Sequence, residues 1–236
     1  MSALEELSNL ACDLINPAIQ EWKQQGNKVV GFMCTYVPEE ILYAAGILPV
    51  RLRAPNCVGT SSADVYMSHL NCTFIRSCLQ FMLDNRYQFL DGLVFTNTCD
   101  HVRRLYDIVR EIIPMDFPLL YLISVPHKVD DDLINWYRDE LDRFKESVEK
   151  TFGIEITDAG LRNAIDVYNE TRSLLRQLYD LRKGKNPPLA GAETLSVVVA
   201  GFSLPKSTYN ELLRQLLAEL VGREGISDYR ARLMIF

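Results

Sequence analysis

Gly92-Leu93-Val94-Phe95-Thr96-Asn97-Thr98-Cys99-Asp100-His101-Val102-Arg103-Arg104-Leu105 changes character within a few residues. Its first third is a short apolar run of the kind that forms a strand buried on both faces. Its last third opens a helix: Asp100 suits a first turn, and Val102, Leu105, Tyr106, Ile108 and Val109 recur at helical spacing. A strand therefore feeds a helix, and Cys99 sits at the junction. Upstream, Lys28-Val29-Val30-Gly31-Phe32-Met33 reads as another buried strand. Pro38 then fits the first turn of a helix over Glu39 to Ala45, with Gly46 as its C-cap. Ile47 to Leu52 is a third strand. A polar loop over Asn56 to Ser62 precedes an expected helix from about Asp64 to Leu83, which would carry Cys72 and Cys78. Pro118 to Ile123 is a fourth strand, ended by Pro126.

This alternation predicts an α/β fold, a mainly parallel, Rossmann-like sheet flanked by helices. Ligands of such sheets lie beyond the carboxyl ends of the strands, where Cys34 and Cys99 both fall. Before the sheet, Leu4 to about Gln25 reads as an amphipathic helix that Pro17 kinks or breaks. From Asp130 to about Gly184 long helices follow, with Thr157 or Asp158 as an N-cap and Gly184 as a C-cap. Pro187-Pro188 breaks the chain before helices over Glu193 to Ala200 and Lys206 to Leu220. The expected organisation is an α/β domain over 1–130, a helical region over 131–229, and over 230–236 the first strand of a second α/β domain that the chain does not contain. The sequence has neither a P-loop nor a Gly-rich dinucleotide fingerprint.

The 236 residues are 48% apolar and 24% charged, enough for a sizeable core and incompatible with wholesale disorder. A net charge of −6, from 31 acids and 25 bases, argues against bulk nucleic-acid binding. No apolar run approaches the ~20 residues that span a bilayer, and the acidic Glu5-Glu6 start is unlike a secretory leader. A cytoplasmic protein is expected, without membrane or nucleic-acid partners. In a reducing compartment the six cysteines, five of them between Cys34 and Cys99, are buried apolar residues, metal ligands or reactive thiols.

Three segments, 31–49, 69–78 and 91–104, hold the residues capable of chemistry. A thiolate at a helix N-terminus is stabilised by the helix dipole and suits soft metals, which makes Cys99 a candidate iron ligand. Cys72 and Cys99 are far apart in sequence, as ligands on separate loops of an α/β site are. Neither spacing fits the local CxxC of zinc ribbons or ferredoxins. Taken alone, the cysteines stay open between ligands and small buried hydrophobes.

In their order, these segments resemble the 2-hydroxyacyl-CoA dehydratase and benzoyl-CoA reductase family, specifically its iron–sulfur D-component subunits. A strand followed by Pro-x-Glu and an apolar helix ending in Ala-Gly-x-x-Pro is matched by Pro38, Glu40, Ala45, Gly46 and Pro49. A Cys-x-x-x-Arg-Ser helix is matched by Cys72, Arg76 and Ser77, and an Asp-Gly strand leading to Cys-Asp-x-x-Arg by Asp91, Gly92, Cys99, Asp100 and Arg103. Tyr121 to Lys128 resembles the family's next strand and its Val-Pro-His loop. The resemblance is dense over about 28–130 and loose over the helical stretch.

The resemblance implies a [4Fe-4S] cluster held by three thiolates, with one iron open to substrate or water. Cys72 and Cys99 fall on two ligand positions, and the third would come from a second α/β domain. The chain alone is then expected to hold little or no stable cluster. Cys34 is a further candidate near the site, against the reading of a buried or neighbouring thiol. Glu40, in the first turn after Pro38, is a candidate acid/base or ligand-orienting group, against that of a helix-dipole partner. Arg76, Arg103 and Arg104 are read either as contacts for CoA phosphates or as solvated helix faces. His69, His101 and His127 read as ordinary polar side chains. The activity implied is one-electron transfer to an acyl-CoA thioester, which expels the 2-hydroxyl in the dehydratases and reduces the ring in the benzoyl-CoA branch. The implied partners are a homologous second subunit, an ATP-dependent iron–sulfur activator and the acyl-CoA substrate. Two competing readings are a non-catalytic subunit with an empty site and a related reductase with a double cluster.

Overall fold

The structure, a computed structural model, describes residues 1–113, 117–229 and 231. Its described residues divide into two compact units. One is Pro17–Ala164; the other joins Met1–Asn16 to the residues from Ile165 onward.

The first unit holds one sheet of four parallel strands, β1 (Val29–Phe32), β2 (Leu48–Arg51), β3 (Gly92–Thr96) and β4 (Leu119–Ile123), in the order β2-β1-β3-β4. These are the four predicted strands. The chain leaves β1 toward β2, then crosses back to place β3 on the other side of β1. The winding direction therefore reverses between β1 and β3, and at such a reversal the loops beyond the strands diverge and open a crevice.

After α1 (Ala3–Cys12) and α2 (Pro17–Gln24), the helices α3 (Glu39–Ala44), α4 (Thr73–Leu83) and α5 (Asp100–Ile112) connect the strands. α6 (Asp131–Phe152) and α7 (Asp158–Leu181) follow. Side chains alternate across a strand, so β1 and β3 supply two cores. On one face Val30, Phe32 and Val94 pack with Ile41 and Leu42 of α3 and with Phe144 and Val148 of α6. On the other, Phe95 meets Tyr106 of α5 edge-on, ring centroids 5.8 Å apart. Phe144 and Val148 are fully buried, each stabilising the fold by about 1.5–3 kcal/mol.

The Asp91-Gly92 pair acts at the amino end of the sheet, opposite the crevice. Asp91 accepts hydrogen bonds from the Val29 amide at 2.9 Å and from Lys23 Nζ at 2.7 Å, with Lys28 Nζ at 3.3 Å. A Cβ on Gly92 would lie 2.8 Å from Leu119 Cβ and 2.9 Å from Leu119 O, so the approach of β3 to β4 requires glycine.

The N-terminal amphipathic run is broken at Pro17, as expected: Asp13 is extended, and a second helix starts at Pro17, where the missing N–H costs nothing. One predicted helix is corrected. The expected helix over Asp64–Leu83 begins only at Thr73, after a short 3-10 turn over Ala63–Val65. Cys72 is thus the residue preceding α4, with non-helical backbone, rather than a residue inside it. Side chains with local alternatives to the helix explain the late start: the Asn71 amide nitrogen donates to Ser68 O at 3.0 Å, and the Leu70 amide to Ser68 Oγ at 3.3 Å.

Thr157 caps α7 through Oγ1, which accepts from the Gly160 amide at 3.1 Å. α7 stops at Leu181, before the expected Gly184. The second unit contains α1, the later part of α7, α8 (Gly191–Ala200) and α9 (Lys206–Leu220). Buried side chains in it find partners within the unit: Asn16 Nδ2 donates to Ser203 Oγ at 2.8 Å and Tyr209 OH to Val197 O at 2.9 Å. The strand expected over 230–236 lies outside the described residues, apart from position 231.

Candidate metal centre

At the carboxyl ends of β1 and β3 a thiol and two hydroxyls meet. Cys34 Sγ lies 3.2 Å from Thr98 Oγ1, which is 2.8 Å from Thr96 Oγ1. Cys34 takes φ = 89°, a left-handed conformation that is costly for a residue with a Cβ. Burial pushes its thiol pKa up, but hydrogen bonding from Thr98, the Tyr36 amide, Thr96 and the Thr35 amide outweighs it. The net result is a pKa below the ordinary thiol value. Cys34 is thus a partly covered thiol in a donor-rich turn, at the point where the sheet topology opens.

Cys72 and Cys99 occupy equivalent places. Each is the N-cap residue of its helix, of α4 and α5 respectively, neither side chain caps its own helix, and both residues are exposed. Their helices pack against each other. The loop before Cys72 is tied to the first turn after Cys99: His101 Nδ1 lies 2.9 Å from Asn71 Oδ1. Cysteines 27 positions apart in sequence are thereby presented by two neighbouring helix ends.

The neighbouring charged groups are largely structural. Arg76, with only 12% of its side chain exposed, reaches back over the loop, donating through Nε to Asp64 Oδ1 at 2.7 Å and through Nη2 to Thr60 Oγ1 at 2.7 Å. Burial raises the Asp64 pKa, but the hydrogen bonds and charge of Arg76, with Thr60 and His69, leave it below the usual carboxylate value. This network holds the segment leading into Cys72. Arg103 instead lies on the exposed face of α5 beside Asp100, and Arg104 is exposed there as well. His69 contacts Arg76 at 3.0 Å, and His127 is exposed. Cys78 is buried in α4, and desolvation pushes its thiol up to about 12, which removes it from thiolate chemistry.

Glu40 sits in the first turn of α3, half-buried, reached from β1 through the Cys34 turn. The loop after β4 is held to the same edge: the Val125 amide donates to Asn97 Oδ1 at 2.7 Å, and the Ser124 amide to Oε1 of the buried Glu140 at 3.1 Å. Asn71, His101, Asn97 and Thr98 are the polar residues of this edge that motif reading left without a role. Their only sequence signal is adjacency, Asn71 directly before Cys72 and Thr98 directly before Cys99.

Exposed thiols at the ends of two helices are the soft donors that thiolate-bound iron takes. Cys72 and Cys99 fit such a centre as a partial set, since among the described residues no three His, Cys, Asp or Glu side chains converge on a metal position.

Comparison with known proteins identifies the family. The sequence profile described as "2-hydroxyglutaryl-CoA dehydratase, D-component" matches residues 34–236. The chain is 32% identical to a benzoyl-CoA reductase subunit of Thauera aromatica over 227 residues, 94% of this chain and 58% of that protein. It is 28% identical to the beta subunit of (R)-2-hydroxyglutaryl-CoA dehydratase of Acidaminococcus fermentans over 205 residues, 86% of this chain and 54% of that one. With the (R)-phenyllactyl-CoA dehydratase beta subunit of Clostridium sporogenes the identity is 27% over 213 residues, 87% and 54% of the two. The chain thus spans 54 to 58% of the length of these relatives. A profile matched over most of the chain, on the parallel sheet that its motifs predicted, establishes that the chain belongs to the 2-hydroxyglutaryl-CoA dehydratase D-component family.

Proposed function

We propose that this chain is part of an iron–sulfur subunit acting on an acyl-CoA thioester, in which Cys72 and Cys99 are two of three thiolate ligands to a [4Fe-4S] cluster. The observation that carries the reading is the matched position of the two cysteines, both exposed and both preceding helices that pack together. When bound, such a cluster supplies low-potential single electrons, which no amino-acid side chain provides. The chain's own contribution is then placement. The amide groups that open α4 and α5 stabilise negative charge on thiolates beside them. The Arg76–Asp64–Thr60 network keeps the loop before Cys72 in register. Cys34 and Thr98 offer a thiol and a hydroxyl at the carboxyl ends of β1 and β3, able to hydrogen-bond a polar group arriving there. Glu40, in the first turn of α3 after the Cys34 turn, is the carboxylate assigned to orient such a group or exchange a proton with it.

In this reading the third ligand and a partner subunit lie outside the chain, and an ATP-dependent activator delivers the electrons. Val58 and Leu70, 99% and 92% exposed on the loops leading to Cys72, are consistent with a surface covered in the assembled enzyme. The test is anaerobic reconstitution of the full-length protein with iron and sulfide, followed by iron and sulfide analysis and visible absorption. Stable iron, lost in both Cys72→Ser and Cys99→Ser, supports the reading. Iron-free protein, or unchanged loading in either variant, refutes it.

A further inference from the structure

We propose that His101, acting through Asn71, is the positioning residue that sets the separation of the Cys72 and Cys99 thiols. The inference rests on the reading of those two cysteines as ligands and goes beyond it, because the hydrogen bond belongs to neither cysteine.

Three observations fix its direction. Asn71 Nδ2 donates to Ser68 O at 3.0 Å, and the Asn71 backbone amide donates to the same carbonyl at 2.9 Å. The side-chain amide is therefore oriented by its own turn, and its oxygen faces His101. His101 Nδ1 then carries the proton and donates to Asn71 Oδ1 across 2.9 Å. This bond spans 30 residues of sequence and joins the residue immediately before one cysteine to the residue two after the other.

The rest of the neighbourhood explains why this one bond matters. On the Cys72 side, Arg76 anchors the loop over Thr60 to His69, but it grips that loop upstream of Cys72. On the Cys99 side, α5 is fixed by its buried face, Val102, Leu105, Ile108 and Val109. Cys72 and Cys99 themselves are exposed and make no side-chain cap. The position of the first turn of α4 relative to that of α5 is thus set at the cysteine level by Asn71 and His101. Groups that orient the ligands of a metal, without touching it, change its affinity by about 10–100-fold when removed.

The test uses the reduced 236-residue chain under anaerobic conditions, titrated with cadmium(II) and followed by thiolate-to-cadmium ultraviolet absorption. Thermal melts followed by tryptophan fluorescence run in parallel. Cys72→Ser and Cys99→Ser identify the signal that belongs to the pair. His101→Phe keeps a ring without the donor and is expected to weaken that signal's affinity by at least about tenfold with the melt unchanged. His101→Asn places an amide N–H near the position of Nδ1 and is expected to restore affinity to within about threefold of the parent, rescue that a merely structural role would not give. Asn71→Leu removes the same bond from the other side and decides the matter if His101→Phe fails to fold. Parent affinity in His101→Phe or Asn71→Leu, or an Asn variant as weak as the Phe variant, overturns the proposal. A cadmium signal indifferent to Cys72→Ser and Cys99→Ser instead overturns the ligand reading, whatever His101 does.

Discussion

Asp91→Ala should destabilise the α/β unit while leaving the crevice intact. The Asp91 carboxylate, with 16% of its side chain exposed, ties the start of β3 to the start of β1 and to Lys23 of α2. Its bond from the Val29 amide is charge-assisted and partly buried; such bonds are worth about 1.5–3 kcal/mol. Lys23 and Lys28, 34% and 50% exposed, add at most about 1 kcal/mol each because water screens them. The total is about 3 kcal/mol. With a urea m-value near 2 kcal/mol/M, the midpoint should fall by about 1.5 M. Both tryptophans of the chain, Trp22 and Trp136, lie within Pro17–Ala164, so fluorescence reports this unit selectively. Asp91→Asn keeps an acceptor for the Val29 amide and should lose only part of that stability. The pH dependence has a defined sign. Burial pushes the Asp91 pKa up, but Lys23, the Val29 amide and Lys28 outweigh it and hold it below the usual carboxylate value. A depressed native pKa means the ionic contribution is complete above the unfolded value of about 3.9 and is lost as pH falls through the lower, native one. The gap between parent and Asp91→Asn should therefore be full at neutral pH and close in strong acid. An Asp91→Ala midpoint within about 0.25 M of the parent at neutral pH, equivalent to about 0.5 kcal/mol, would refute the assignment.

Three further outcomes are expected. Gly92→Ala puts a Cβ against the Leu119 backbone and should cost about 1–3 kcal/mol in the same urea assay, because the contact is with backbone rather than a movable side-chain tip. In pH-resolved alkylation read by peptide mass spectrometry, Cys34 should react at lower pH than an ordinary thiol, and Thr98→Val should move its profile upward. Cys78, held at about 12 by burial, should stay unmodified until the unit unfolds; equal rates at the two positions would contradict both assignments. Arg76→Met should speed amide exchange across residues 60–71 and leave exchange in β1 and β3 unchanged, since Arg76 is bound to Asp64 and Thr60 on that loop. Unaltered exchange there would show that the loop is held by other means.

Local sequence was sufficient wherever the deciding interactions are local. The alternation of short apolar runs with amphipathic stretches names all four strands; β1 and β3, buried on both faces, must be apolar throughout. Cys99 could be placed before a helix since Asp100 and the spacing after it mark that start within one turn. The same logic failed at Cys72. Arg76 bonding back to Asp64 and Thr60, and Asn71 bonding to Ser68, hold the preceding segment out of the helix. Periodicity registers only which residues repeat on a face, so it ran the helix back to Asp64.

Tertiary structure alone decided the rest. The order β2-β1-β3-β4 sets β1 beside β3, so that Cys34 meets Thr98 across 64 positions of sequence. The packing of α4 on α5 brings Asn71 to His101. Hydrogen bonds between residues so distant leave no periodic trace, because neither partner's type or spacing is constrained until the chain has chosen which strands are neighbours. The cysteines themselves were legible in the sequence; how their two helix ends are held together was not.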